Sequence, residues 1–174
     1  MARRAIVLVM LLAIGLAGWL VWPAGGQALR LGQLAPDIAG APWINSPGLT
    51  MESLRGRVVL VEFWTYGCVN CQRVIPQLRA WHDTYEAAGL TIVGVHTPEF
   101  FWEKPYAQVV AATERFGIRY PVVQDNDTAI WKRFGIWAWP TAVLVDKKGI
   151  VRYHHIGEGE YEHTEAVIRR LLAE

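Results

Sequence analysis

The sequence predicts an α/β fold: a central mixed sheet with helices packed on both faces, making three layers. Two observations carry this. Apolar, β-favouring runs alternate with stretches whose apolar residues recur at helical spacing. Near the C-terminus, a turn of Lys147, Lys148 and Gly149 joins two short strands into a hairpin. The composition fits one folded domain, with 174 residues, 52% hydrophobic and 19% charged. Net charge is +1, with Lys and Arg scattered, which argues against a nucleic-acid protein. Two cysteines exclude a multi-bridge scaffold and a four-thiolate zinc site. Nine tryptophans are expected in the core or around a cleft, where the large ring is buried and its N–H finds a partner.

The N-terminal segment, residues 1–27, reads as an address. Residues 5–22 are uncharged and follow Arg3 and Arg4. As a helix this run spans roughly 27 Å, close to a hydrocarbon core of about 30 Å. The arginines are expected to stay in the cytoplasm and send the rest across, with Trp19 and Trp22 at the far interface. A transmembrane anchor is preferred over a cleaved signal peptide, whose apolar region is usually about 7–15 residues. Gly26-Gln27-Ala28 keeps the signal-peptide alternative open. Either way residues 28–174 form the exported domain, in the periplasm or outside the cell.

Within that domain, residues 34–54 are rich in Pro, Gly, Asn and Ser and predict an irregular stretch or a β-hairpin. Residues 57–64 (RVVLVEFW) predict a central parallel strand, interrupted by Glu62. Val74, Leu78, Trp81 and Tyr85 then mark a helix over residues 69–88, with Pro76 inside and expected to kink it and Gly89 ending it. Residues 91–95 predict a second buried strand, broken by His96-Thr97-Pro98-Glu99. Tyr106, Val109, Val110, Thr113 and Phe116 make another helical face. Residues 120–123 predict a short strand and 128–134 a short helix with Asp127 as its N-cap. Residues 142–145 and 150–153 make the hairpin. Tyr161, Ile168, Leu171 and Leu172 define the last helix.

The chemistry sits in Cys68-Val69-Asn70-Cys71, directly after a strand and opening a helix. Free N–H groups and partial positive charge at a helix N-terminus favour the thiolate of the first cysteine. Cys68 is therefore the expected attacking thiol and Cys71 the resolving one, through a mixed disulfide on Cys68. A purely structural disulfide over so short a loop would constrain little chain. Zinc would need two further ligands, and His154 and His155 point to opposite faces of a strand. No metal or cofactor is expected beyond the redox-active pair. Glu62, in an apolar strand, is expected to have a raised pKa and to act as a base toward Cys71. A strand-edge Glu facing solvent is its alternative.

These residues resemble the thioredoxin superfamily: residues 61–71 (VEFWTYGCVNC), Pro76 downstream, and Trp139-Pro140-Thr141 far downstream. Ala35-Pro36-Asp37 and Leu54-Arg55-Gly56-Arg57 resemble its redoxin and TlpA-like branch. Gly94 to Phe100, Tyr120-Pro121 with Asp125-Asn126, and Gly157 to Tyr161 resemble the exported thioredoxin-like domain of DipZ-type proteins. The resemblance implies a thioredoxin-like sandwich with an N-terminal extension and an inserted α/β element, the latter around residues 106–123. It implies that Glu62 is the buried acid beneath the cysteine pair. It implies that Pro140 is the cis-proline facing the pair, with the Trp139 backbone available to an extended partner segment. Trp64, Tyr66, Trp137 and Trp139 are expected to form an aromatic rim, with core packing the alternative for any one of them and a mixed role beside the disulfide preferred for Trp64. His96 and Glu99, at the carboxyl end of a strand, are candidates for tuning Glu62 or Cys68; loop capping is their alternative.

The function this implies is a membrane-tethered thiol–disulfide oxidoreductase outside the cytoplasmic membrane. It would exchange disulfides with protein thiols and disulfides, as a monomer and as a reductant. Electrons would come from a membrane thiol carrier of the CcdA or DsbD kind, and cytochrome c biogenesis is one client process. In DipZ-type proteins the domain is fused to such a carrier. Two alternatives stand. One is a thiol peroxidase of the redoxin type, although Cys68 lacks the Pro-x-x-x-Thr-x-x-Cys setting of a peroxidatic cysteine. The other is a non-catalytic module that binds extended peptides at the Pro140 groove.

Overall fold

The computed structural model describes residues 29–174. The proposed anchor or signal segment lies outside the described residues. Among those described, no helix is long and apolar enough to cross a membrane.

One six-stranded sheet organises the chain. Its strands are β1 (Trp43–Ile44), β2 (Val58–Trp64), β3 (Leu90–His96), β4 (Val122–Gln124), β5 (Thr141–Val145) and β6 (Val151–Ile156). Their spatial order is β1-β4-β3-β2-β5-β6. β2, β3 and β4 run parallel, while β1, β5 and β6 pair antiparallel. The helices are α1 (Val69–Tyr85), α2 (Tyr106–Arg115), α3 (Ala129–Arg133) and α4 (Tyr161–Ala173), with a 3₁₀ turn at Phe101–Glu103.

Every residue of β2 is buried, as its unbroken apolar run requires of a central strand. Strand alternation divides its side chains between two cores. Val58, Leu60 and Trp64 join Val74, Ile75, Leu78 and Trp81 of α1 and Val167, Ile168 and Leu171 of α4. Val59, Val61 and Phe63 join Ile130, Phe134 and the N-terminal segment through Ile38, Met51 and Leu54 on the other face. Glu62 thus projects toward α1 and α4, on the side that also buries Cys71. α1 continues through Pro76, and the chain leaves it through Gly89 at φ +108°.

Several elements differ from expectation. Of the two options for residues 34–54 the irregular stretch holds and the hairpin does not: β1 pairs with β4, and Leu34 makes an isolated bridge to Ile150. The strand expected at 120–123 is shifted to Val122–Gln124, with Tyr120 buried beside it. α3 has Thr128 at its N-cap position, in left-handed backbone and without a side-chain capping bond; its hydroxyl donates to the Asp127 carbonyl instead. Asp127 reaches only the Ala129 amide, at 3.1 Å. The stronger cap is Asp125, whose carboxylate accepts from Ile130 and Trp131 N–H, both at 2.9 Å.

Candidate active site

Cys68 is the N-cap residue of α1, and its sulfur accepts the Cys71 amide at 3.2 Å. The two cysteines form a disulfide, with Cα atoms 5.2 Å apart. Their exposures differ: Cys71 is 1% exposed, whereas Cys68 is half-buried. An approaching sulfur therefore meets Cys68 first. The helix begins here because a strand, a tight turn through Thr65–Cys68 and a cap follow one another. The Cys68 amide donates to the Thr65 carbonyl at 3.3 Å.

Glu62 is 2% exposed, and its Oε2 has no hydrogen-bond partner among the described residues. It lines a small cavity with Leu78 and Trp81 of α1, His155 of β6, and Tyr161 and Thr164 of α4. Desolvation pushes its pKa up to about 8. A carboxyl in that range exchanges protons readily near neutral pH. A solvent-facing strand-edge Glu does not describe this residue.

The peptide bond between Trp139 and Pro140 is cis. The Trp139 ring packs on Trp131, centroids 4.3 Å apart. The expected rim is only partly formed by the residues named for it. Trp137 is widely exposed, and Tyr66 and Trp139 are half-buried. Trp64, at 2% exposure, lies in the core beside Cys71, the core side of the mixed role expected for it. Its edge approaches His96, centroids 5.2 Å apart.

His96 is fully buried, and burial lowers its pKa to about 4. Nε2 lies 3.3 Å from the Thr65 hydroxyl. The imidazole is thus a neutral group packed under the active-site turn. Glu99 does not take the tuning place considered for it: its side chain is exposed, and only its amide is engaged. The acid that reaches the turn is Glu103. It is fully buried, with Oε1 accepting Gly67 N–H at 3.0 Å and Oε2 accepting Glu99 and Phe100 N–H at 2.7 and 3.0 Å. Tyr66 adds a second tie, donating its hydroxyl to the Trp102 carbonyl at 2.7 Å. Beside these ties Phe100, Phe101 and Trp102 are exposed, with Phe100 stacked on Trp102 at 4.5 Å. Sequence reading missed Glu103; the only local signal was an acid inside an aromatic run before Pro105.

A disulfide capping a helix, beside a parallel strand and a cis-proline, is the redox centre of a thioredoxin-like thiol–disulfide oxidoreductase. The chain belongs to the AhpC/TSA family, whose model matches residues 31–154. It is 44% identical over 152 residues to protein DipZ of Mycobacterium tuberculosis, covering 85% of this chain but 22% of that protein. The chain therefore spans about a fifth of the length of DipZ. It is 29% identical over 150 residues to the thiol-disulfide oxidoreductase ResA of Geobacillus kaustophilus, covering 86% of this chain and 83% of ResA. Among solved structures it is similar to a thiol-disulfide isomerase from Corynebacterium glutamicum, with TM-score 0.70 and 25% identity. That match covers 83% of this chain and 97% of the isomerase.

Proposed function

We propose that this protein is a membrane-tethered reductant that acts outside the cytoplasmic membrane on disulfides of other proteins. One observation carries the chemistry: a half-exposed Cys68 bonded to a buried Cys71, on the core side where Glu62 Oε2 has no hydrogen-bond partner among the described residues. In the reduced protein the Cys68 thiolate attacks one sulfur of a partner disulfide, and the other partner sulfur leaves as a thiolate. Glu62 accepts the proton of the Cys71 thiol. Cys71 then attacks Cys68 Sγ and releases the second partner sulfur. The partner gains two electrons, and the Cys68–Cys71 disulfide remains. The groove at Trp139 and Pro140 holds the extended partner segment by backbone pairing, and half-buried Tyr66 contributes a further contact. Trp64 packs in the core beside the buried Cys71.

Tethering rests on the uncharged run at residues 5–22 behind Arg3 and Arg4. The reductant direction rests on the likeness to DipZ and ResA. A membrane dithiol carrier of the CcdA or DsbD kind supplies the electrons, and cytochrome c maturation is one client process. The domain works as a monomer.

The test is the reduction potential, measured by equilibration in glutathione or dithiothreitol buffers with Trp64 fluorescence as the readout. A value near about −250 mV or lower fits a reductant fed by a membrane carrier. A value near about −120 mV identifies an oxidant and overturns the proposed direction. Rapid peroxide turnover without a protein partner would give the chain to the peroxidase reading. A pair that cannot cycle would give it to a peptide-binding module.

A further inference from the structure

The loop between β3 and α2 carries a buried charge that the exchange mechanism above does not use. Three backbone N–H groups converge on the Glu103 carboxylate, from Gly67, Glu99 and Phe100. Among the described residues it accepts only these bonds and has no cationic partner within ion-pair distance. All three bonds are accepted by the carboxylate oxygens, the role an ionised carboxylate fills best. The site is also built around one of those oxygens. A Cβ at position 67 would overlap Glu103 Oε1, so glycine leaves the room the carboxylate fills.

Gly67 directly precedes Cys68, whose thiolate would be stabilised by nearby N–H groups at the helix mouth. We propose that Glu103 is a positioning residue for the redox pair: it engages the Gly67 amide and, by its buried negative charge, opposes formation of the Cys68 thiolate. The inference rests on Cys68 being the attacking thiol. Both effects have the same sign. An amide committed to Glu103 cannot turn to the sulfur, and an anion bonded to the residue just before Cys68 repels a second one. Destabilising the thiolate disfavours the reduced form of the pair and makes the couple a stronger reductant. Around this turn the other titratable and charged groups are Tyr66, on which both Glu103 and Arg115 of α2 act electrostatically, and the neutral His96 of β3, on which Glu103 acts. Arg73 of α1 is paired with Glu158, and Glu62 lies behind the pair on β2. None of these donates a hydrogen bond to Glu103.

The experiment follows iodoacetamide alkylation of Cys68 against pH in the full-length chain carrying Cys71→Ser. Adding Glu103→Gln is expected to lower the alkylation midpoint. Below that midpoint alkylation becomes about threefold to tenfold faster, as loss of one nearby charge gives. In the two-cysteine protein the same substitution shifts the equilibrium with glutathione toward the reduced form by a similar factor. Glu103→Asp, which keeps the charge, is expected to stay near the parent midpoint even if it melts earlier. An unchanged or raised midpoint in folded Glu103→Gln overturns the inference. If that variant does not fold, hydrogen exchange of the Gly67 amide in the parent decides: protection in both redox states supports the clip, and free exchange overturns it. Failure of Cys68 to react in the Cys71→Ser parent would instead overturn its assignment as the attacking thiol. The two failures are thus distinguishable.

Discussion

The Tyr66 ring lies on the His96 imidazole, centroids 5.5 Å apart and planes 21° from parallel. The contact ties the turn that carries the cysteines to the end of β3. It also closes His96 off from water, and the rest follows from burial. Charging an imidazole there costs desolvation that the nearby Glu103 carboxylate offsets only in part, and Nδ1 has no hydrogen-bond partner among the described residues.

His96 is therefore expected to stay neutral through the physiological range, with its ring titrating near 4 rather than 6.5. Between those values the unfolded chain binds a proton that the folded chain refuses. Stability then falls as pH drops from 6.5 toward 4, by about 3 kcal/mol in total for this one residue. Above pH 6.5 both states are neutral and the residue contributes no slope. NMR titration of the His96 ring checks the assignment. A midpoint near 6.5 would mean that Tyr66 does not seal it.

Glu62 has the opposite linkage. Its folded pKa of about 8 lies above the ordinary 4.5, so the folded chain holds a proton that the unfolded chain has released. The stability this gives is present below pH 4.5 and is lost as pH rises through 8. Glu62→Gln never has to bury a charge. It should match the parent at pH 4 and be the more stable protein at pH 8 and above, by on the order of 5 kcal/mol. The same variant should slow resolution of the mixed disulfide about a hundredfold, the lower end for loss of a general base. Denaturant melts across pH and quenched-flow trapping read the two effects separately. A variant that is faster, or less stable at pH 8, would remove Glu62 from the proposed proton transfer.

The unequal exposure of the cysteines makes the two serine variants differ. Cys71→Ser leaves the accessible sulfur without its resolving partner, so mixed disulfides with partner proteins should accumulate on Cys68. Cys68→Ser leaves a sulfur that is 1% exposed, and trapping should fall at least about tenfold, because exchange requires access. Non-reducing gels of affinity-purified variants compare the yields. Equal trapping by both variants would contradict the assignment of roles.

Much of this arrangement is legible along the chain. β2, β3 and the hairpin β5–β6 stand out because their residues answer to short-range rules: unbroken apolar runs for buried strands, and Lys-Lys-Gly for a tight turn. Cys68 and Cys71 are legible because strand, turn and helix follow directly. β1 is not, since two residues become a strand only when β4 lies beside them. Glu103 is hidden for a related reason. Its burial depends on a turn that brings Gly67, 36 residues earlier in sequence, within hydrogen-bond reach. From sequence Glu99 looked the better candidate, being next to the strand end, yet the chain turns so that only its amide faces inward.

The N-cap of α3 is the last such case, and it extends to the groove. Asp127 has the expected spacing, but the Asp125 carboxylate accepts Ile130 and Trp131 N–H and also the Thr97 hydroxyl, at 3.1 Å. Asp125 is 2% exposed, so removing it leaves buried donors unpaired. Asp125→Ala is expected to cost about 2–3 kcal/mol, whereas Asp127→Ala, which frees one exposed donor, should cost less than about 1 kcal/mol. Denaturant unfolding compares the two. α3 also presents Trp131 to Trp139, the residue before cis-Pro140, so a loosened cap should reach the partner groove. Asp125→Ala should therefore raise KM for a protein disulfide by about threefold or more, as loosening of positioning contacts does, while leaving reduction of a small disulfide unchanged. A uniform loss on both substrates would show that α3 supports the fold alone and not the groove.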